Sequence, residues 1–314
     1  MKHICFPTDF SELSLKALPF AVAVAKNYDA TLHLVNVLKH VSGMYPSEDR
    51  EELLTTVKTK FEELKEDASK TIDPSKIKCE AIQADVLTGL EAYCKDNDID
   101  LLLMTTHGHS GLKRLLWGSV AKNIIHLVEC PVMVLNPEAA EHVNSGTLGP
   151  ILAPVDIDHL SPEALTAAKD LAHNLKTPLE IVYALSDERG VVGIAGVYGE
   201  ARIYRSYDTF IEEETAIAEK ALGDLKENLD KKQDGVKVGY HVSGEPAHEA
   251  ITNYCKKFPS SLVVMQTHVN SPLDRFFLGS TTERVIHSVN VPVVILNPKS
   301  LEKINGCDKS STCC

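Results

Sequence analysis

The sequence predicts an α/β fold of two tandem doubly wound domains, each a mostly parallel five-stranded sheet with helices on both faces. Short apolar runs alternate with helically periodic segments along the chain, as parallel strands joined by crossover helices require. The chain also repeats itself: HICFPTDFSELSLKALPFAVAVAKN from His3 returns as PILAPVDIDHLSPEALTAAKDLAHN from Pro150, 147 residues later. Further on, Tyr93-Cys94-Lys95, Thr106-His107, Gly118-Ser119 and Pro131 return 161 residues later, as Tyr254-Cys255-Lys256, Thr267-His268, Gly279-Ser280 and Pro292.

Taken in order, Ile4–Pro7 reads as the first strand and Ser11–Lys26 as a helix opened by a polar cap. Thr31–Leu38 is the second strand. Glu48–Lys70 carries Leu53, Val57, Phe61, Leu64 and Ala68 along one helical stripe. Lys76–Ala84 is the third strand, Leu87–Asn97 a helix and Leu101–Thr105 the fourth strand. A helix capped by Ser119 follows, with Val120, Ile124, Leu127 and Val128 on its apolar side, and Pro131 introduces a last strand, Val132–Leu135. The second repeat keeps this order, with Ala218, Leu222, Leu225 and Leu229 on its long helix. The lengthened offset places a 14-residue insertion between Ser186 and Phe210. Its glycine-rich stretch, Gly190–Gly199, reads as an irregular loop on its own domain, with a lid or contact surface as the alternative. The domains expected are 1–137 and 150–298, followed by a flexible tail, 299–314, holding Cys307, Cys313 and Cys314.

Composition narrows the function. A net charge of −12 argues against a sequence-independent grip on nucleic acid or an anionic membrane. No run of 18 apolar residues suggests a membrane span. Asp9 and Glu12 fall where a secretory leader needs its apolar stretch. Cys5, Cys79, Cys94, Cys130 and Cys255 are scattered singly through apolar or helical segments. They read as reduced, buried thiols of a cytoplasmic protein.

The chemistry concentrates between Leu101 and Ser119, where a buried strand runs through a loop with Gly108 and Gly111 into a helix. The first N–H groups of a helix lack internal partners, and its dipole favours negative charge there. Such a corner suits an anion. In open α/β sheets ligands sit beyond the carboxyl ends of the strands, where the strand order reverses. The loops after strands one and four are then the natural walls of the crevice.

These residues resemble the universal stress protein family in its tandem form, over both repeats. The family carries an Asp at the end of strand one, matched by Pro7-Thr8-Asp9-Phe10-Ser11. It also carries a G-x2-G-x9-G-S/T loop after strand four, matched by Gly108 and Gly118-Ser119. The first glycine of that pattern falls on Thr105, a departure. The second repeat keeps Val155-Asp156 and Gly279-Ser280-Thr281, but has Gln266 and Val269 where the first two glycines belong. Thr105 could offer a hydroxyl in compensation; Val269 offers none.

The resemblance implies an adenine nucleotide alpha hydrolase-like fold and ATP binding mainly by the first domain. Pro7, Thr8, Asp9 and the backbone around Val37 would hold the nucleoside end; Thr105, Gly108, Gly118, Ser119 and Val120 would hold the phosphates. Asp156, Gly279, Ser280 and Thr281 are the second-domain candidates. Mg²⁺ could accompany the triphosphate, bound through its oxygens. The role implied is nucleotide-responsive stress adaptation or signalling, with no obligatory reaction. The last strands, Val132–Leu135 and Val293–Leu296, are expected to meet within the chain, with homodimerisation and an unidentified protein partner left open.

Other readings remain beside this one. Asp9 could cap the following helix, although Ser11 is also available. His107 and His109 invite a metal reading, but no partner has ligand spacing and loop histidines are the plainer account. Gly108-His109-Ser110-Gly111 lacks the closing glycine of a nucleophile elbow. Lys113 and Arg114 could meet phosphates or form a solvated face. No Walker loop is present. The competing functions are a scaffold of the same fold without nucleotide, and a weak ATPase.

Overall fold

The structure, a computed structural model, describes residues 1–38, 47–106, 119–136, 139, 149–185, 207–231, 234–259, 261–267 and 278–310. Two compact units divide the chain. One comprises Met1–Thr147, Gln266–Gly279 and Asn290–Cys314; the other comprises Leu148–Met265 and Ser280–Val289.

In the first unit β1 (His3–Pro7) is parallel to β2 (Thr31–Leu38) on one side and to β4 (Leu101–Thr105) on the other. Outside these lie β3 (Ile77–Gln83) and β5 (Val132–Leu135), also parallel, giving the order β3-β2-β1-β4-β5. The strand order therefore reverses between β1 and β4. Ile4, Cys5 and Phe6, and Leu101, Leu102 and Leu103, are fully buried, which is why both strands read as unbroken apolar runs. The strand Val293–Leu296 of the second repeat belongs to this unit and pairs antiparallel with β5, Val294 opposite Met133. The expected meeting of the two last strands thus occurs within the chain.

Helices cover the sheet. α1 (Glu12–Leu15) and α2 (Leu18–Tyr28) replace the single helix expected over Ser11–Lys26. Pro19, in the first turn of α2, has no N–H to continue an α-helical ladder back to Leu15, and its ring would crowd that carbonyl. α3 (Ser47–Ser69) packs on β3, α4 (Val86–Asp96) on β2, and α5 (Ser119–Leu127) on α4. Gly89 permits the close approach of α4: a Cβ there would lie 2.9 Å from Ala84 Cβ and 3.4 Å from Val37 Cγ1.

The second unit repeats the plan. β6 (Ile151–Val155) lies parallel between β7 (Leu179–Ala184) and β9 (Leu262–Gln266), and β8 (Val238–Ser243) flanks β7. α6 (Pro162–Leu175) packs on β6 and β7, α7 (Tyr207–Asp230) on β8, and α8 (Ala247–Lys257) on α9 (Ser280–Ser288). Its distinctive feature is Lys169, which is 1% exposed, with Nζ 3.0 Å from Asp234 Oδ2 and also donating to the Leu229 carbonyl. The equivalent residue of the first repeat is Val22.

Three further expectations meet the structure here. The strand Val293–Leu296 (β10) leads into α10 (Pro298–Ser310), so the tail read as flexible begins with a helix whose Ser300 and Leu301 are buried. Asn297 anchors it, with Nδ2 donating to the Ile125 and Val128 carbonyls at 2.6 and 3.1 Å. Cys79, expected buried, is exposed; it lies on β3, the outer strand of its unit. Of the insertion expected between Ser186 and Phe210, residues 186–206, with the glycine-rich stretch, lie outside the described residues, as do the tail cysteines Cys313 and Cys314. Among the described residues, no helix is long and apolar enough to cross a membrane.

Candidate functional site

The turn after β1 is held from below and behind by a polar network. The Thr8 N–H extends the ladder to the Val35 carbonyl at 2.8 Å, and Asn36 Nδ2 donates to the Thr8 carbonyl at 2.7 Å. Thr8 Oγ1 and Ser14 Oγ share a 2.6 Å hydrogen bond, and the Phe10 N–H donates to Thr8 Oγ1 at 3.0 Å. Thr8, Ser14 and Asn36 are all buried. Buried polar groups of this kind fix a unique conformation because leaving them unmade is costly. Among the described residues, Asn36 Oδ1 has no hydrogen-bond partner.

Asp9 stands on this platform, half-buried. Its Oδ1 accepts from the Ser11 N–H at 3.0 Å and from Ser11 Oγ at 2.6 Å. Ser11 in turn caps α1, its Oγ accepting from the Ser14 N–H at 3.2 Å. The capping question left by the sequence is thereby answered: Ser11 caps, and Asp9 orients the cap. Between them Phe10 has φ 59°, a left-handed conformation uncommon for a bulky side chain. Its ring packs edge-on against Phe61 of α3, centroids 5.2 Å apart, which holds the turn in that conformation. Local strain of this sort persists only where the surroundings over-determine it.

The other candidates of the first repeat fall around the same end of the sheet. Pro7 ends β1. Val37, half-buried near the end of β2, lies against Gly89 of α4. Thr105, half-buried, ends β4 opposite Leu135, and the next N–H, of Thr106, donates to the Leu135 carbonyl at 2.8 Å. Ser119 is the first residue of α5 rather than its cap, and Val120 follows half-buried. Gly108 and Gly118 lie outside the described residues, as do His107, His109, Ser110, Gly111, Lys113 and Arg114.

In the second repeat Asp156 is exposed. Its Oδ1 accepts from the Asp158 N–H at 3.0 Å, and its Oδ2 lies 3.1 Å from His159 Nδ1. Gly279 precedes α9 with φ +83°, a left-handed conformation that glycine adopts without strain. Ser280, exposed, opens α9, with Thr281 half-buried behind it. What is missing is the platform: Val155 replaces Thr8, Tyr183 replaces Asn36 and Ile157 replaces Phe10, while Ser161 still caps its helix.

Sequence reasoning had missed Asn36, Ser14 and Phe10. Asn36 left a signal, being an amide in the otherwise apolar end of LHLVNVL. Phe10 left none, because a left-handed phenylalanine looks like any other in sequence.

The universal stress protein family model matches residues 1–136 and again 147–297. The chain belongs to the universal stress protein family. A universal stress protein of Methanocaldococcus jannaschii is 33% identical over 151 residues, 45% of this chain and 85% of that one. One from Mycobacterium bovis is 27% identical over 199 residues, 63% of this chain and 62% of that one. Among solved structures, a universal stress protein from Archaeoglobus fulgidus superposes with TM-score 0.61 at 21% identity, covering 94% of this chain and 96% of its own. A protein of unknown function from Pseudomonas aeruginosa reaches TM-score 0.64 at 16% identity, covering 99% and 98%. These likenesses establish the doubly wound fold for both repeats of this universal stress protein.

Proposed function

We propose that this universal stress protein binds ATP through its first repeat and serves as a nucleotide-responsive module of stress adaptation or signalling. The observation that carries the reading is the braced turn at the reversal of strand order: Asp9 is fixed by Ser11 and by the left-handed Phe10, beside the ends of β2 and β4. That is the crevice in which doubly wound sheets receive ligands. The carboxylate would accept from the nucleoside end, Val37 would lie alongside the base, and Thr105, Gly108, Gly118, Ser119 and Val120 would meet the phosphates. Mg²⁺ would be carried by the phosphate oxygens. The output is binding energy: a nucleotide changes the chain's partner affinity only by binding one conformation better than another.

The domains acting in this way are 1–137 and 150–298, the first carrying the nucleotide. Asp156, Gly279, Ser280 and Thr281 form a counterpart lacking the buried platform, so the second repeat contributes architecture before affinity. Titration of a fluorescent ATP analogue into the wild type and Gly118→Asp tests the reading. Saturable binding by the wild type with at least tenfold weakening in the variant is expected; equally weak binding by both overturns it.

A further inference from the structure

The carboxyl end of α5 is held by a segment 172 residues further along the chain. α5 has nine residues, about two and a half turns, and a helix that short keeps its place through its contacts rather than its own ladder. The Val128 N–H donates to the Ile124 carbonyl at 3.1 Å. The carbonyls after it are the ones a helix end leaves for outside donors. Asn297 Nδ2 donates to those of Ile125 and Val128 at 2.6 and 3.1 Å, and Lys299 Nζ to that of Leu127 at 2.9 Å.

Asn297 is fully committed there. It is 2% exposed, and its Oδ1 accepts from the Ser300 N–H at 2.8 Å, which caps α10. A buried amide with its bonds made is costly to disturb. Further along α10, Lys303 Nζ donates to the Ile99 carbonyl at 3.2 Å, two residues before β4. One segment, Asn297–Lys303, thus grips both elements assigned to the phosphates: β4, which ends at Thr105, and α5, which opens with Ser119 and Val120. The family match ends at Asn297, so α10 lies beyond the residues the family model covers. In the first repeat Asn136 stands where Asn297 stands in the second, and its Nδ2 donates to Asn290 Oδ1 at 3.2 Å.

We propose that Asn297, with Lys299, is a positioning residue for the nucleotide site of the first repeat, fixing α5 from its carboxyl end and so coupling α10 to nucleotide binding. The proposal rests on the reading that this repeat binds ATP. Amide and ammonium donors complement the negative end of the helix dipole, and fixing where a short helix ends fixes where its first N–H groups point. Those N–H groups are the ones that would meet the phosphates. Coupling of this kind is reciprocal: whatever the grip of Asn297 adds to nucleotide affinity, nucleotide adds to the hold of α10 on α5. α10 is then the element whose order changes with nucleotide.

The test uses the full chain. Asn297→Ser keeps the α10 cap, because a serine hydroxyl accepts from the same N–H, and removes both donations to α5. Titration with a fluorescent ATP analogue should show affinity lower by roughly fivefold or more. Lys299→Met, a change at an exposed side chain, should give a smaller loss and Asn136→Ser none. Hydrogen exchange read by mass spectrometry supplies what plain destabilisation would not move: saturating ATP should raise protection across 298–310 in the wild type and leave it unchanged in Asn297→Ser. Undiminished affinity in both Asn297→Ser and Lys299→Met, absence of nucleotide-dependent protection of 298–310, or an equal loss in Asn136→Ser overturns the proposal. A wild type that binds no nucleotide overturns the reading of the site instead. The hold on α5 is then read without ligand, as faster exchange across 123–128 in Asn297→Ser, and unchanged exchange there overturns it.

Discussion

The two repeats brace the same place in their sheets with the partners exchanged. In the first, His33 of β2 lies between His3, 3.0 Å away, and the Tyr93 hydroxyl, 2.9 Å away, while the charge of Glu80 on β3 adds to the burial that raises the Tyr93 phenol. In the second, the positions of His33, Tyr93 and Glu80 hold Glu180, Tyr254 and His241. Burial acts on each according to its charge. It lowers His33 to about 4, helped by Lys78 and His3, and raises Glu180, against the pull of His241. Gly239, opposite Glu180 across β7 and β8, leaves room for the carboxylate, where a Cβ would collide with its oxygens. A duplicated fold thus tolerates either sign at this position, provided the neighbouring strand and the tyrosine accommodate it. The turn after the first strand shows the opposite lesson. There the carboxylates of Asp9 and Asp156 and the bond each accepts from the N–H two residues on are retained, while Thr8, Phe10, the Ser11 hydroxyl and Asn36 are not.

The comparison is broken most severely at Lys169, buried in the second repeat where the first has Val22. Asp234→Ala should destabilise the chain by roughly 3 kcal/mol, because it strips a counter-ion from a buried ammonium. Lys169→Met should cost about 1 kcal/mol or less, since apolar replacement of a buried pair is commonly tolerated. Urea unfolding of both variants checks the pair. If Asp234→Ala proves silent, the ion pair contributes nothing to holding this repeat.

Acid sharpens the contrast of sign. His33 is neutral in the folded chain down to about pH 4 but titrates near 6.5 when unfolded. The unfolded state therefore binds more protons in that window, so stability is complete above it and is lost as pH falls through it. His33→Gln should recover roughly 2 kcal/mol of the loss between pH 7 and pH 4. Glu180 runs the other way: its raised carboxyl disfavours the folded state as pH rises, so Glu180→Gln should raise Tm at pH 7 more than at pH 4. Thermal melts at the two pH values read both, and equal pH slopes for wild type and variants would contradict the assignment.

At the strand-one turns, Asp9→Ala should weaken ATP binding about tenfold or more, the worth of a hydrogen bond to a charged group. Asp156→Ala should leave binding unchanged. Calorimetric titration distinguishes them. The smallest effect expected is at the caps: Ser11→Ala and Ser161→Ala should each cost about 1 kcal/mol, and the first alone should also loosen Asp9.

Much of this architecture was legible before the structure. The strands Thr31–Leu38, Leu101–Thr105 and Val132–Leu135 stand where their apolar runs end, because strands buried on both faces leave an unbroken signal. The break before Pro19 was missed because the helical stripe continues across it, and periodicity does not register a lost hydrogen bond. At the candidate site Asp9 was readable from its place after an apolar run. Its dependence on Phe10 was not, since the sign of φ is fixed by packing against Phe61, some fifty residues further along.

The central claim is that the turn of the first repeat, backed by Thr8, Asn36 and Phe10, marks the nucleotide site and its counterpart without those residues does not. Mass-spectrometric measurement of adenine nucleotide retained per chain, after saturation with ATP and Mg²⁺ and rapid removal of free ligand, tests it directly. The account predicts one nucleotide per chain, lost in Asp9→Ala and kept in Asp156→Ala. Two per chain, none, or loss on changing Asp156 instead would contradict it.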